Sequence, residues 1–257
     1  MSRAASFIAV IFSLCTFAPP AYAAPDELEI HLDEINKPGE FGFDGIFTYT
    51  PSGARIRPDP ALRSTHHLFQ FSPDFSYGLT RDVQLDVQLF SSIGLDGRGR
   101  LDGGRLELLT LPVRPEDDDD DGLFFGGLFE VGHLPRTLSN NRLDAEFKMF
   151  LGYRVGRWTI ATNPEIGLKV SGDGSSAAEL STKFKLSYRL DVYSVGLEQY
   201  SDLGRLSHVG SLRQQSQQTF AVVDFKGKGK DFQLGVGRGW NDFSERWVIK
   251  GILSFPF

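Results

Sequence analysis

The sequence predicts an all-β protein, a transmembrane antiparallel up-and-down β-barrel of about 12 strands. Three observations predict this class. Apolar and polar residues alternate over long stretches, no stretch after the N-terminal apolar run keeps a helical period, and short turns alternate with long polar loops. A soluble antiparallel sandwich alternates too, but its strands are typically about five to six residues long. The alternating runs here approach the roughly 9–11 residues of a membrane-spanning strand.

Residues 1–23 have the pattern of a secretory signal peptide. Arg3 supplies a positive start, an apolar run follows, and Ala21-Tyr22-Ala23 forms a small-x-small cleavage site. The only cysteine, Cys15, precedes this cleavage point. The mature chain is therefore expected to form neither disulfides nor thiolate metal sites.

The composition excludes some classes of partner. The net charge of −6 for the full chain becomes −7 once Arg3 is removed, which argues against a nucleic-acid partner because phosphates are bound by Lys and Arg. No later stretch approaches the roughly 20 consecutive apolar residues of a membrane helix. Yet the chain has 22 Phe at a mean hydropathy of −0.20, so these rings need an apolar environment.

Residues 24–40 precede the first predicted strand and stay without a single assignment. The stretch DELEIHLDEINKPGEF mixes charged and apolar residues. It could form a periplasmic lead-in, an inward plug or a further strand. We treat residues 41–257 as the outer-membrane β-barrel.

The alternating runs, divided at the turns, give twelve predicted strands. Twelve is preferred over ten or fourteen because it allows about 18 residues for each strand with its connection. The predicted strands are, in chain order, residues 41–50, 67–79, 83–92, 104–114, 123–132, 143–154, 157–169, 180–189, 192–201, 217–226, 231–239 and 245–257. In the fourth, Leu108-Leu109 interrupts the alternation, and we expect a β-bulge there.

Three of these strands show the alternation most clearly. They contain the sequences VQLDVQLF (83–90), LDAEFKMFLGYR (143–154) and STKFKLSYRL (181–190). In each, apolar side chains fall on one face and charged or polar side chains on the other. In a barrel within lipid the apolar face points outward and the polar face inward.

The connections predict how the barrel is oriented. Outer-membrane barrels have short periplasmic turns and longer extracellular loops. Short turns are predicted near Thr80, Gly156, Asp191 and Lys228, and an even number of strands then places both ends of the chain on the periplasmic side. The predicted extracellular loops are residues 51–66, 91–104, 133–142, 171–179 and 202–216.

The last strand carries a family resemblance. In WVIKGILSFPF, Trp247 to Phe257, every second residue is apolar and the chain ends on Phe. This pattern resembles the C-terminal assembly signal of bacterial outer-membrane β-barrel proteins. The resemblance implies a Gram-negative outer-membrane location, contact with membrane lipid and lipopolysaccharide, and recognition of the last strand by the barrel-assembly machinery.

A narrower resemblance is carried by four sequence stretches. FSYGLT, LGYRVGRW, VGLEQYSDLG and the closing GRGWNDFSERWVIKGILSFPF are similar to a mostly uncharacterised group of proteobacterial barrels. That group is associated with phenol meta-cleavage pathway outer-membrane proteins. The resemblance implies uptake of small organic compounds, and it supplies no functional residues.

Charged residues on the predicted inward faces are the candidate site. Twelve strands lie between the eight that fill their interior and the 16–18 that leave an aqueous pore. The charges could therefore compensate one another in a filled lumen, or line a selective passage. The candidates for lining the lumen are Asp86, Glu130, Glu146, Lys148, Glu165, Lys169, Lys183, Lys185, Arg189, Glu198 and Lys250. Within this set, the row Lys183, Lys185 and Arg189 beside Glu198 could attract anions.

The histidines suggest an alternative activity. His66, His67, His133 and His208 are predicted at the extracellular rim, and Ser207 and Ser211 lie close to His208 in sequence. A lipid hydrolase of the outer leaflet would use Ser and His there, but no acidic orienting residue can be named. We expect no metal site at His66-His67, because neighbouring strand residues point to opposite faces.

We therefore predict a porin-like transport barrel without catalysis and without a cofactor or metal. Its function would be passive passage or binding of a small solute, such as a small organic compound. Two alternatives stay open: an outer-leaflet enzyme that modifies lipid or lipopolysaccharide, and a structural or adhesion barrel whose loops make the contacts.

Overall fold

The computed structural model describes residues 28–55, 63–116, 120–133, 141–172, 178–213, 215–227 and 230–256. The predicted signal peptide, residues 1–23, lies outside them. None of the described residues belongs to a helix that is long and apolar enough to span a membrane.

The described chain consists of twelve long strands and one strand of two residues. The bounds are β1 Phe41–Ser52, β2 Leu68–Gly78, β3 Val83–Ile93, β4 Gly99–Val113, β5 Gly122–His133, β6 Asn141–Val155, β7 Trp158–Gly172, β8 Glu179–Arg189, β9 Tyr193–Arg205, β10 His208–Val209, β11 Ser216–Gly227, β12 Lys230–Gly239 and β13 Trp247–Pro256. Each of the twelve predicted strands corresponds to one of the long strands.

The long strands close into a single antiparallel barrel. Every long strand pairs with the next, and β13 pairs with β1, with Phe43 opposite Phe255 and Tyr49 opposite Ile249. The short β10 continues only the β9 edge, where Val209 lies opposite Gly204. Within the described residues, closure gives every long strand a partner on both sides. The predicted fold class, an up-and-down barrel of twelve strands, is confirmed.

The two faces of the sheet differ as the alternation predicts. In β8, Phe184 is 42% exposed, whereas the flanking Lys183 and Lys185 are buried. In β13, Trp247 and Ile249 are exposed and Lys250 is 1% exposed. Large apolar side chains thus cover the outside of the barrel while charged ones are enclosed, which is the reverse of a soluble protein.

The expected bulge in β4 is absent at Leu108-Leu109. Leu108 points outward and Leu109 inward, and both keep a regular register with β3 and β5. The register shifts instead beside Gly103, opposite Phe90, and between Thr110 and Val113. The sequence breaks its alternation because the inward face is itself apolar here: Leu109 and Leu111 form a cluster with Leu128, Phe150 and Ile35.

One predicted loop is much shorter than expected. Residues 91–104 are mostly strand, since β3 runs to Ile93 and β4 begins at Gly99. In this Gly-rich stretch the buried Asp102 accepts a hydrogen bond from Ser92 and lies 3.5 Å from an Arg63 nitrogen. Much of three other predicted loops, residues 56–62, 134–140 and 173–177, lies outside the described residues.

The short turns all lie at one end of the barrel, here called the short-turn end. They comprise residues 79–82, 156–157 and 190–192, and the paired residues Gly227 and Lys230 end β11 and begin β12 at the same end. Residues 28–40 enter beside Gly78 of β2: Gly39 N donates to Gly78 O at 2.8 Å, and Gly78 N donates to Glu40 O at 3.0 Å. A Cβ at Gly78 would collide with the backbone carbonyls of Lys37 and Asn36, so this close approach requires glycine.

Candidate functional site: the barrel lumen

The N-terminal segment, residues 28–36, lies inside the barrel. Leu28 and Ile30 are buried against four inward-facing residues of β9, β11 and β13, which are Tyr200, Phe220, Val222 and Val248. At the other end of the segment, Ile35 packs on the apolar cluster of β4, β5 and β6. The segment therefore contacts two apolar patches of the wall and lies across the lumen between them.

Polar groups of the wall bind the backbone of the same segment. The Asn163 side chain accepts from His31 N at 2.7 Å and donates to His31 O at 3.0 Å. Lys250 Nζ donates to Leu28 O at 2.9 Å, and Gln84 Oε1 accepts from Asn36 N at 2.7 Å. Extended backbone inside a barrel must find such partners, because a buried amide without a hydrogen bond is costly.

Two ion pairs hold the segment near the short-turn end. Asp33 contacts the Arg154 guanidinium of β6, and Glu34 lies 2.8 Å from Lys226 Nζ of β11. Burial raises the pKa of Asp33, and Arg154 opposes that shift. Burial also lowers the pKa of His31 to about 4, so its ring, 5.4 Å from that of Phe150, is neutral at neutral pH.

The structure places most of the predicted inward charges in ion pairs, and several of these pairs join different strands. Lys148 Nζ lies 2.9 Å from Glu130 and 3.9 Å from Glu146, and Lys183 Nζ lies 2.6 Å from Glu165. The Lys148–Glu130 pair joins β6 to β5 and the Lys183–Glu165 pair joins β8 to β7, whereas Glu146 lies on β6 with Lys148. The lysines on this wall are therefore compensated by carboxylates on neighbouring strands.

Glu198 of β9 is the centre of a second network. Lys185 of β8 and Lys250 of β13 both pair with its carboxylate, and Tyr200 donates to it at 2.9 Å. Lys185 also lies 3.1 Å from Asp224. Four strands thus contribute charge to one buried group, and Glu198 itself is 1% exposed.

The other predicted residues lie farther from these networks. Lys169 pairs with Glu179 at 2.8 Å near the end of the barrel that is opposite the short-turn end. Arg189 donates to Gly156 O at 3.5 Å at the short-turn end, so the row Lys183, Lys185 and Arg189 does not form one continuous strip. Asp86 accepts from Gln84 at 2.8 Å and belongs to a separate, acidic part of the wall.

Several inward charges were missed from the sequence. Arg105, whose guanidinium pairs with Glu107 and Glu130, lies on β4, whose pattern is the least regular. Asp44, Asp74 and Asp224 occupy inward positions by alternation alone, and that signal could have found them. The partners of Asp33 and Glu34 could not be found in this way, because the segment is not a strand.

A cavity of about 320 Å³ opens at the short-turn end. The segment contributes Ile30, Leu32 and Glu34, and the wall contributes Lys185 and Asp224. Cationic and anionic side chains are mixed around it. The lumen is therefore narrowed by the segment rather than filled completely.

The geometry gives little support to the alternative that the histidines belong to a lipid hydrolase. His66 and His67 precede β2 in a turn, and their ring centroids are 4.2 Å apart. The expectation that His66 and His67 point to opposite faces of a strand was wrong, because His67 has a φ of 53° and is not in a strand. Tyr49 OH lies 2.8 Å from His67 Nδ1. In the described part of the chain, no three His, Cys, Asp or Glu side chains are placed to hold a metal ion.

No protein-family model matches this chain, and no curated protein matches it in sequence. Solved structures do resemble it. The crystal structure of an outer membrane channel from Pseudomonas putida F1 superimposes with a TM-score of 0.61 at 13% identity, covering 90% of this chain and 100% of that one.

The KdgM porin is a second structural neighbour. It gives a TM-score of 0.55 at 10% identity, over 84% of this chain and 99% of that one. Its complex with disordered oligogalacturonate gives 0.52 at 9% identity, over the same shares. At these identities the likeness establishes a shared fold, that of an outer-membrane β-barrel.

Proposed function

We propose that this protein is a narrow outer-membrane channel for the passive passage or binding of a small solute. One observation carries the proposal: a closed barrel of twelve strands encloses charged side chains and exposes apolar ones. The apolar outside suits lipid acyl chains, and the polar inside suits water and solute. The shared fold with an outer membrane channel and a porin supports it.

The same proposal gives residues 28–36 the role of a constriction. They lie across the lumen and are held by apolar contacts, hydrogen bonds and ion pairs. In an aqueous channel of this width, such a segment limits the cross-section that is open to solute. The short-turn end, where the segment enters, would then face the periplasm.

The finer parts of the proposal rest on sequence. A secretory signal peptide at residues 1–23 would export the chain, and the strand from Trp247 to Phe257 would be recognised by the barrel-assembly machinery. The resemblance to barrels associated with phenol meta-cleavage favours a small organic compound as the solute. Lipid and lipopolysaccharide would be the partners of the apolar outer face.

Planar-bilayer recordings of the purified protein test this function. We expect small, stable current steps from the full chain and clearly larger steps from a variant that lacks residues 28–36. A Lys37→Ala variant changes an exposed residue next to the deletion and should behave as the full chain. The absence of current from both the full chain and the deletion variant, in any salt, would contradict the channel function.

A further inference from the structure

We infer that the lumen selects small monovalent cations over anions, through an acidic wall formed by β1–β4. The acidic wall is defined here as Asp44 of β1, Asp74 of β2, Asp86 of β3 and Glu107 of β4. This inference rests on the proposed channel function and names the class of ion or solute that the channel favours.

The first step concerns the cations of the opposite wall. Lys148, Lys183, Lys185 and Lys250 each lie within ion-pair distance of a carboxylate on another strand. A paired lysine presents little net field to a passing ion, because its partner cancels most of it at a distance. The basic side of the lumen is therefore close to neutral.

The acidic wall lacks this compensation. Within the described residues, only one of its four carboxylates forms an ion pair. This carboxylate is Glu107, and its partner Arg105 also binds Glu130. Asp86 accepts a hydrogen bond from the neutral Gln84 rather than from a cation. This side of the lumen therefore has more carboxyl groups than cationic groups.

The register brings these carboxylates opposite one another. Asp44 lies directly opposite Asp74 in the β1–β2 pair, and Asp86 lies directly opposite Glu107 in the β3–β4 pair. Side chains that face each other in this way have Cβ atoms about 4.5–5.5 Å apart, and like charges there repel. The four charged groups that act most strongly on Asp74 are Glu107, Asp86, Glu29 and Asp44, and all four are acidic. A cation in the lumen would relieve this repulsion.

A second observation points to a ligand at the same place. Gln88 of β3 is completely buried, lies opposite Asp74, and is two residues from Asp86 on the same face. Within the described chain neither its Nε2 nor its Oε1 has a hydrogen-bond partner, and Asp74 Oδ1 also has none. Buried polar atoms left without partners are costly. Two of these three atoms are acceptors, which suits a cation or the water that hydrates it.

The spacing of the carboxyl groups in the acidic wall favours one kind of cation over another. Among the residues that the structure describes, no group of three potential ligands is close enough to hold a metal ion. Dehydrated binding of a multivalent metal is therefore disfavoured, since such ions need several oxygen ligands at once. A monovalent cation that keeps part of its hydration shell matches separated carboxylates better.

The reversal potential in a KCl gradient tests this inference on the full chain. We expect a K⁺ over Cl⁻ permeability ratio of about 10, the low end of what a charged cleft achieves by focusing its field. Asp74→Asn should lower that ratio several-fold. Asp242→Asn removes a carboxylate that is exposed at the rim and paired with Arg55, and it should leave the ratio unchanged.

A second variant provides the same test if Asp74→Asn does not fold. Gln88→Lys places a cation beside Asp74 and Asp86 and should bring the permeability ratio to about 1 or below. A full chain that conducts with no preference for K⁺ overturns the inference and leaves the channel function intact. A preference for K⁺ that is unchanged in both Asp74→Asn and Gln88→Lys also overturns the inference and leaves the channel function intact. A complete absence of current, also after deletion of residues 28–36, overturns the channel function and this inference with it.

Discussion

Three phenylalanine rings inside the barrel lie over glycine residues of the adjacent strand. Phe124 is opposite Gly152 and Phe150 is opposite Gly126 in the β5–β6 pair, and Phe220 is opposite Gly237 in the β11–β12 pair. All three rings are fully buried. An aromatic ring that covers a cross-strand glycine shields its backbone and fixes the register. These pairs identify residues at which even a methyl group cannot be accommodated.

Gly126→Ala is predicted to destabilise the barrel. A Cβ at residue 126 would lie 2.5 Å from a ring carbon of Phe150 and 2.6 Å from Thr110 O. Overpacking of this kind costs about 1–3 kcal/mol in the free energy of unfolding. Urea unfolding in lipid vesicles measures it. The control is Gly127→Ala on the next residue, where the nearest atom is 3.5 Å away and little change is expected. Equal stability of the two variants would count against this packing.

At the scale of residues, the sequence predicts the inward or outward face but not the partner. Alternation alone places Lys183 and Glu165 inward, and their ion pair depends on the register between β7 and β8. Register depends on turns and packing that a single strand does not reveal. Arg105 and Glu107 were missed because the apolar inward residues Leu109 and Leu111 obscure the pattern of β4.

At the scale of elements, one side chain of the wall binds the backbone of the N-terminal segment through two hydrogen bonds. Asn163 of β7 forms two hydrogen bonds to the backbone of His31, as a neighbouring strand would. It is fully buried and lies in the middle of the wall. Without it, both the amide and the carbonyl of His31 would need water or another partner.

Asn163→Ala is therefore predicted to loosen the segment without opening the barrel wall. We expect more frequent transitions to a larger conductance in planar bilayers, and faster amide hydrogen exchange at His31. The control is Thr162→Ala, which removes an outward hydroxyl bonded to Lys183 O at 3.1 Å on the same strand. Unchanged conductance and exchange in Asn163→Ala would show that other contacts hold the segment.

The strands were predictable and the segment was not, for a physical reason. A membrane strand must alternate along its whole length, because lipid contacts one face and the lumen the other. Residues 28–33, LEIHLD, alternate as well, but alternation alone does not distinguish a strand of the wall from an extended segment inside the lumen, so an inward plug and a further strand both stayed open. The apolar patch that receives Leu28 and Ile30 comprises inward residues of three strands, which come together only when the barrel closes.

At the scale of the whole molecule, one assignment supports the rest: the apolar outer face contacts lipid, and the charged inner face is enclosed. The constriction, the ion pairs and the acidic wall all require an interior that lipid does not reach. Ile252 and Leu253 of β13 are neighbours at one depth on opposite faces. Ile252 lines the cavity at the short-turn end, and Leu253 lies on the face of Trp247 and Ile249.

Tryptophan fluorescence in vesicles of brominated lipid measures this assignment directly. Trp158, Trp240 and Trp247, the three tryptophans of the chain, are first replaced by Phe. Into this background Leu253→Trp or Ile252→Trp is introduced. Bromine on the acyl chains is predicted to quench the Leu253→Trp emission strongly and to leave the Ile252→Trp emission nearly unchanged. Equal quenching at both residues, or stronger quenching at residue 252, would contradict the account.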